Sequence, residues 1–326
     1  MSKTTIVMYH YVRDLKNSRY PDIKGLDVAD FREQMFYIDK YYHIIRMEEL
    51  IEAVKNLENL PNNSLLLTFD DAYRDHFECV FPILDDMGVQ GSFFPPAKAI
   101  QEKQVLDVNK IHFILASTAN KKQIISEIFT MMDPVREQYS LKGYEYYYER
   151  FATEDRFDTT EVMLIKKMLQ RELPEELRGR IVQHLFDKYV SNDESNFSHE
   201  LYMNLEQLKY LRRKGMYIGS HGYDHFWLNT LSEEEQRREI HLSLEFLKRI
   251  GVDTTDFVMS YPYGAYNDSL LALLQDQGCR IAFTTRVGIA DLERDHPLSL
   301  PRLDTNDLPK KRLAEPNSWT LEILNS

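Results

Sequence analysis

Leu65-Leu66-Leu67-Thr68-Phe69-Asp70-Asp71 reads as a buried strand that ends in two adjacent carboxylates. The run from Leu65 to Thr68 lies between a turn-like Pro61-Asn62-Asn63-Ser64 and the acidic pair, the pattern of a parallel-sheet strand. A buried helix segment shares the apolar run, but the shortness of this one and its Pro-Asn-Asn lead-in favour the strand. Two acids at such a strand end resist ionising together in a low-dielectric site. They need a cation, a shared proton or solvent. In α/β proteins the carboxyl ends of strands are where chemistry sits, so Asp70 or Asp71 is a candidate metal holder. An acidic turn or a helix N-cap is the competing account of this stretch taken alone.

Strands and helices alternate on both sides of it. Towards the N-terminus, residues 4–8 and 42–45 are predicted strands, and residues 30–40 and 47–57 predicted helices, the second with Leu50, Ile51, Val54 and Leu57 on one face. Asp27 or Asp30 is the expected cap of the first. Beyond the acidic pair come a helix over 77–87 closed by Gly88, and a strand over 90–94 that stops at Pro95-Pro96. The alternation resumes at Asn204: helix 205–214, short strand 216–219, helix 232–250 opened by a Ser232/Glu235 capping box, strand 256–260, helix 268–277, strand 281–285 and a closing segment 300–304. The last residues are polar and broken by proline, and read as a packed tail. Between about 97 and 200 the pattern is helical throughout (110–119, 121–132, 161–171, 174–189) and includes the aromatic, charged stretch from Tyr144 to Arg150. The chain therefore reads as an α/β protein, a parallel sheet or barrel interrupted by a helical insertion within one domain, residues 1–326.

Composition narrows the function. The 326 residues are 43% apolar and 28% charged, the balance of an ordinary globular protein. A net charge of -12 argues against a general nucleic-acid binder, which needs a basic face for phosphates. Two cysteines, Cys79 and Cys279, are too few for a disulfide scaffold or a cysteine-based zinc site. The opening residues form no apolar h-region, and no apolar run reaches the length of a membrane span, so a cytoplasmic location is expected.

A second chemical signal is Ser220-His221-Gly222-Tyr223-Asp224-His225, which follows the short strand 216–219. His-x-x-x-His places two imidazoles one helical turn apart, close enough to share one cation. Two surface histidines in a helical turn are the ordinary account of such a pair taken alone. His10, just after the first strand, is a candidate of the same kind, with a structural, partly buried histidine as its ordinary account. Here one carboxylate-rich and one histidine-rich strand end are expected to meet on a common rim. They supply two nitrogens and one oxygen, leaving positions open for water and substrate, as in a catalytic metal site.

Thr68-Phe69-Asp70-Asp71, Ser220 to His225 and Tyr261-Pro262-Tyr263-Gly264, in this order, resemble the polysaccharide deacetylases of the NodB-homology group. The resemblance covers roughly residues 4–95 and 204–305 and leaves the helical insertion outside. It implies a distorted (β/α) barrel with about seven strands and metal-dependent removal of acyl groups from sugars. It also implies that Asp70 is the catalytic base and that Asp71, His221 and His225 hold the metal. Pro262 and Tyr263 would then form the groove wall, with the Tyr263 backbone N–H on the oxyanion. Tyr9-His10 is similar to a variant in deacetylases of the biofilm poly-N-acetylglucosamine type, which implies His10 as the general acid. Three positions depart from the family pattern. Ala72 stands where glycine is usual and Ser260 where arginine is usual, and no late Leu-x-His motif is clear around His296. Arg302 is the candidate replacement for the missing arginine, paired with Asp70.

The function this implies is hydrolysis of an N-acyl group on a sugar or glycan intermediate, in surface-polysaccharide assembly of the lipopolysaccharide O-antigen kind. A cytoplasmic protein would meet a nucleotide-linked, lipid-linked or soluble sugar and not finished wall polymer. The cofactor is a divalent metal, Zn²⁺ first, with Co²⁺, Ni²⁺, Mn²⁺ and Fe²⁺ as further fits. An amide or imide hydrolase of a non-carbohydrate small molecule, and a non-catalytic sugar-binding relative, are the alternatives. The helical insertion would act as a lid, a homo-oligomer surface or a simple ornament.

Overall fold

The structure, a computed structural model, describes residues 3–56, 58–154 and 158–325. Every residue of the strand Ser64–Asp70 is buried, as a run apolar on both faces requires. It is β2 of a ring of seven strands: β1 Lys3–Tyr9, β2 Ser64–Asp70, β3 Ser92–Phe94, β4 Tyr217–Ile218, β5 Phe257–Ser260, β6 Cys279–Phe283 and β7 Leu303–Asp304. The register runs Tyr9 opposite Phe69, Asp70 opposite Phe94 and Phe93 opposite Ile218, all parallel. A single parallel bridge, Ser220 to Met259, carries the ring from β4 to β5. After the β5–β6 ladder, a second single bridge joins Phe283 to Leu300, and β7 returns to Val7 and Met8 of β1. The two one-bridge joints are the distortion of this (β/α) barrel, and the parallel order puts the carboxyl ends of all seven strands on one rim.

Between β1 and β3 lie α1 Val28–Tyr41, capped by the Asp27 side chain on the Ala29 N–H, and α2 Met47–Asn56. Leu57, the last residue expected in α2, lies outside the described residues. A π-helical turn, His76–Val80, opens α3 Phe81–Met87, and Gly88 ends it with φ 67°. Then follow α4 Leu205–Arg213, α5 Glu233–Ile250 with its Ser232/Glu235 capping box, and α6 Asp268–Asp276. Strand alternation sorts the core. Ile6, Leu66, Phe94, Val258, Ile281 and Phe283 form one cluster with Met47, Leu50 and Ile51 of α2. Val7, Leu65, Leu67, Phe69 and Phe93 form another with Phe31 and Ile38 of α1, Leu211 of α4 and Leu247 of α5. Asp70 shares its strand face with Leu66 and Thr68, so it points to the inside. Gly219, where β4 meets this inner layer, has no room for a side chain: a Cβ there would stand 2.4 Å from the Phe94 ring.

Two local features were not expected. The polar tail contains a helix, Ser318–Leu324, whose N-cap is Asn317 and whose Thr320 receives the buried Tyr37 and Tyr42 hydroxyls at 2.8 and 2.9 Å. Ala290–Asp291 adds an antiparallel pair to β1.

The chain divides into two compact units. The barrel unit comprises residues 1–14, 25–103 and 198–326, and the other comprises 15–24 and 104–197. The second is helical among its described residues: Asp107–Ser117, Lys121–Met132, Tyr144–Phe151, Thr160–Lys167 and Glu175–Tyr189. Ile111, Ile114, Ile124, Ile128, Leu164, Ile165, Ile181 and Leu185 fill its core. The loop 15–24, remote in sequence, belongs to it through Lys24 on Asp158 at 2.5 Å and Tyr20 edge-on to Phe113.

Candidate metal centre

Asp71, His221 and His225, from sequence positions 150 residues apart, meet at the rim. Asp71 Oδ1 lies 3.4 Å from His221 Nε2 and 3.5 Å from His225 Nε2. Ligand atoms about 2.1 Å from a tetrahedral ion stand about 3.4 Å from one another. All three side chains are buried, and Asp71 Oδ1 has no hydrogen-bond partner. A buried, unpartnered carboxylate oxygen facing two imidazole nitrogens at this spacing fits a divalent cation. The donor set, two nitrogens and one oxygen, is of the borderline kind that zinc and its neighbours accept. The His221 Nδ1–H donates to the Ser260 carbonyl at 2.7 Å, which fixes the tautomer and turns the Nε2 lone pair towards Asp71.

The two imidazoles do not sit on a helix. Residues 221–225 form a loop in which Gly222 (φ 73°) and His225 (φ 56°) are left-handed. Glu239 of α5 holds that loop, its Oε2 accepting from the Tyr223 and Asp224 N–H groups at 3.0 and 2.9 Å. The expected helical turn is thus replaced by a loop clamped from a later helix. Asp71 (φ 69°), Ala72 (φ 51°) and Tyr263 (φ 57°) are also left-handed. Non-glycine residues in this conformation cost energy and gather where a site demands them.

Asp70 faces Arg302. The guanidinium fork reaches Asp70 Oδ2 with Nη2 at 2.9 Å and Oδ1 with Nη1 at 3.2 Å. Arg302 also donates to the Thr284 carbonyl and the Thr68 hydroxyl, and the Ser260 hydroxyl donates to Asp70 Oδ2 at 3.1 Å. Burial pushes the Asp70 carboxyl up, but Arg302, His221 and His10 outweigh it and hold it below the usual carboxylate range. Asp71 is likewise penalised by burial, yet its histidine neighbours hold it well below that range. Burial depresses His225 to about 4. Burial also opposes charge on His221, but Asp70 and Asp71 outweigh it and raise its pKa.

His10 follows the end of β1, half-buried, near enough to act electrostatically on Asp70 and Asp71. Its carbonyl accepts the Nε2–H of buried His76 at 2.6 Å. On the other side of His225, the Tyr263 ring is edge-on at 4.8 Å and lies flat on Trp227 at 4.4 Å. Pro262 is buried beside it. Sequence reasoning missed Tyr73, whose hydroxyl donates to Asp71 Oδ2 at 2.5 Å, together with Glu239, His76 and Trp227. Tyr73 and Trp227 each stand two residues from a candidate metal ligand, and that proximity was the available signal. Glu239 and His76 carried none.

A parallel barrel with a buried Asp–His–His cluster on its carboxyl rim is the class that fold and site define. A family model described as polysaccharide deacetylase matches residues 181–282, the segment that contains both imidazoles and the Pro262-Tyr263-Gly264 turn. The "Putative polysaccharide deacetylase YxkH" of Bacillus subtilis (strain 168) is 29% identical over 99 residues, 30% of this chain and 35% of that protein. The chain thus matches about a third of the length of that curated relative. Among solved structures, the Streptococcus pyogenes deacetylase PplD in complex with acetate has a TM-score of 0.56 at 18% identity, covering 99% of this chain and 97% of that one. IcaB from Ammonifex degensii has 0.55 at 17%, covering 99% and 98%. A de-N-acetylase from Aggregatibacter actinomycetemcomitans has 0.54 at 13%, covering 99% and 100%. At these identities the structures speak for the fold. The family recognised from the motifs, the polysaccharide deacetylases, is the one to which the family model and the curated relative point.

Proposed function

We propose that this protein is a metal-dependent deacetylase that hydrolyses an N-acyl group on a sugar or glycan intermediate of surface-polysaccharide assembly. The observation that carries the proposal is the unpartnered Asp71 Oδ1 set between the Nε2 atoms of His221 and His225. A divalent cation held there, Zn²⁺ foremost, supplies an activated water and polarises the acyl carbonyl. Asp70, kept ionised by Arg302, takes a proton from the attacking water as general base. Arg302 aims that carboxylate, in place of the arginine that Ser260 lacks. The Tyr263 backbone N–H receives the developing oxyanion, with Pro262 shaping the groove wall. His10 gives a proton to the leaving amine, without which the amide reforms.

Among the described residues no helix is long and apolar enough to cross a membrane. A cytoplasmic site of action and a nucleotide-linked, lipid-linked or soluble acylated sugar as substrate belong to the same proposal. So does a single catalytic domain in which the helical unit is an insertion that serves self-association. Acetate release from a panel of N-acetylated sugars, before and after chelation and again with Zn²⁺ or Co²⁺ restored, tests it. Release that is lost on chelation and regained with metal is expected. Release that survives thorough chelation overturns the metal, and no release from any acylated sugar overturns the substrate class.

A further inference from the structure

We infer that Tyr73 is a positioning residue that commits Asp71 to hold its cation through Oδ1 alone. The inference rests on the metal reading above and adds to it which carboxylate oxygen binds and what keeps it there. The left-handed backbone at Asp71 and Ala72 turns the chain back on itself, which brings Tyr73 alongside the carboxylate. The Tyr73 hydroxyl then donates to Oδ2 at 2.5 Å, while Oδ1 is left facing the two imidazoles.

Several contacts hold the ring so that its hydroxyl cannot wander. Tyr73 is fully buried, and its ring stacks on Tyr11 with centroids 4.1 Å apart and planes 21° apart. Tyr202 lies parallel at 6.2 Å. The backbone beside it is tied down too: Tyr73 bridges to Tyr202, and the Met203 N–H donates to the Ala72 carbonyl at 2.9 Å. The hydroxyl is therefore delivered by a rigid element. A hydrogen bond of this kind, from the outer shell to a ligating carboxylate, orients the ligand and tunes its affinity. Here it has a further geometric effect. A carboxylate with both oxygens free can turn and chelate through both, filling a coordination position. With Oδ2 already accepting from Tyr73, rotation would break a buried hydrogen bond, and the position stays open for water or substrate. Glu239 and Ser260 perform the matching task for the imidazole half, by holding the loop and the His221 tautomer.

The test is Tyr73→Phe in the full chain, which keeps the ring and its stacking and removes only the hydroxyl. Co²⁺ is the probe: its affinity is read by competition with a chelator, and its coordination by the visible absorption of the bound ion. The thermal midpoint of the metal-free variant checks folding. The expected result is a folded variant with Co²⁺ affinity lowered by roughly 10–100-fold and with altered absorption bands, as Asp71 turns to present both oxygens. Affinity within twofold of the parent and an unchanged spectrum overturn the inference and leave the metal reading standing. A parent protein that takes up no Co²⁺ overturns both. Should the variant fail to fold, a crystal structure of the parent with Co²⁺ decides: Oδ1 on the ion and Oδ2 still on Tyr73 supports the inference, and Oδ2 on the ion overturns it.

Discussion

Arg302 and Asp70, 232 positions apart in sequence, form a fully buried two-point ion pair inside the barrel, with N–O separations of 2.9 and 3.2 Å. Removing one partner of such a pair strands a charge out of water, which costs about 3–5 kcal/mol. Arg302→Met is expected to lose stability on that scale and to raise the Asp70 pKa towards and above the usual carboxylate value. Urea unfolding measures the first. An acid limb of kcat/KM displaced to higher pH measures the second. A variant as stable as the parent, with an unmoved acid limb, would show that the pair does not tune Asp70.

Asp70→Asn separates the proposed base from the proposed metal ligands. The amide keeps the size of the side chain and leaves Asp71, His221 and His225 untouched. Metal content is expected to match the parent and kcat to fall by about 10²–10⁴-fold. Elemental analysis beside a steady-state rate checks both. A near-parental rate would exclude Asp70 as the base.

His10 is tested by the choice of leaving group. His10→Gln is expected to lose amide hydrolysis by about 10²–10⁴-fold, yet to hydrolyse an aryl ester nearly as well as the parent, because a phenolate departs without a proton. Equal losses on both substrates would argue against proton donation by His10.

His225 gives a pH dependence whose sign follows from its depressed pKa. In the metal-free protein it stays neutral down to about 4, whereas in the unfolded chain it takes a proton near 6.5. Between those values the unfolded state binds more protons, so stability falls as pH is lowered through that window, by a total of about 3 kcal/mol. His225→Asn removes this contribution. Urea midpoints of chelator-treated protein from pH 7 to 4 should therefore fall less steeply in the variant, and parallel curves would contradict the assignment.

Glu239 is expected to matter to metal uptake although its hydrogen bonds go to the Tyr223 and Asp224 backbone and not to a proposed ligand. Glu239→Ala leaves the Tyr223 and Asp224 N–H groups without their acceptor and costs about 1–3 kcal/mol for each one buried. The loop carrying both imidazoles should loosen, and Co²⁺ affinity should drop. Glu239→Gln keeps an acceptor oxygen and should recover most of both. If Gln and Ala behave alike, the hydrogen bonds are not what holds the loop.

The legible parts of the molecule are those written in consecutive residues. Leu65 to Thr68 is apolar on both faces, so its place in a parallel sheet could be read directly, and the barrel followed from the alternation around it. Asp70-Asp71 and His221–His225 stand at strand ends, and their meeting on one rim needed only the parallel order. What was hidden depends on partners far away in the chain. The loop form of residues 221–225 is imposed by Glu239, and nothing in His-x-x-x-His distinguishes it from a helical turn. The pairing of Arg302 with Asp70 follows from the arginine missing at Ser260, but the two-pronged fork and its further bonds to Thr284 and Thr68 are not legible, since sequence carries no register across so many residues. Ser260, noted only as a departure from arginine, proves to touch both halves of the centre: its hydroxyl meets Asp70 and its carbonyl meets His221. The Ser318–Leu324 helix is hard to read because it spans only seven residues after a polar, proline-broken stretch, and its anchor is a threonine that satisfies two buried tyrosines.

The two joints where the barrel wall is sewn by a single stitch flank β5 and β6. Asp71 therefore rides on the most firmly zipped strand of the ring, while His221 follows directly on a seam. Amide hydrogen exchange should open first along that seam, at Ser220 and Ser260, and last at Leu66 and Leu67. An ion gripped by all three side chains would act as a rivet across the weakest line of the wall. Its loss would be felt first as a parting of imidazole from carboxylate, well before the barrel itself comes undone.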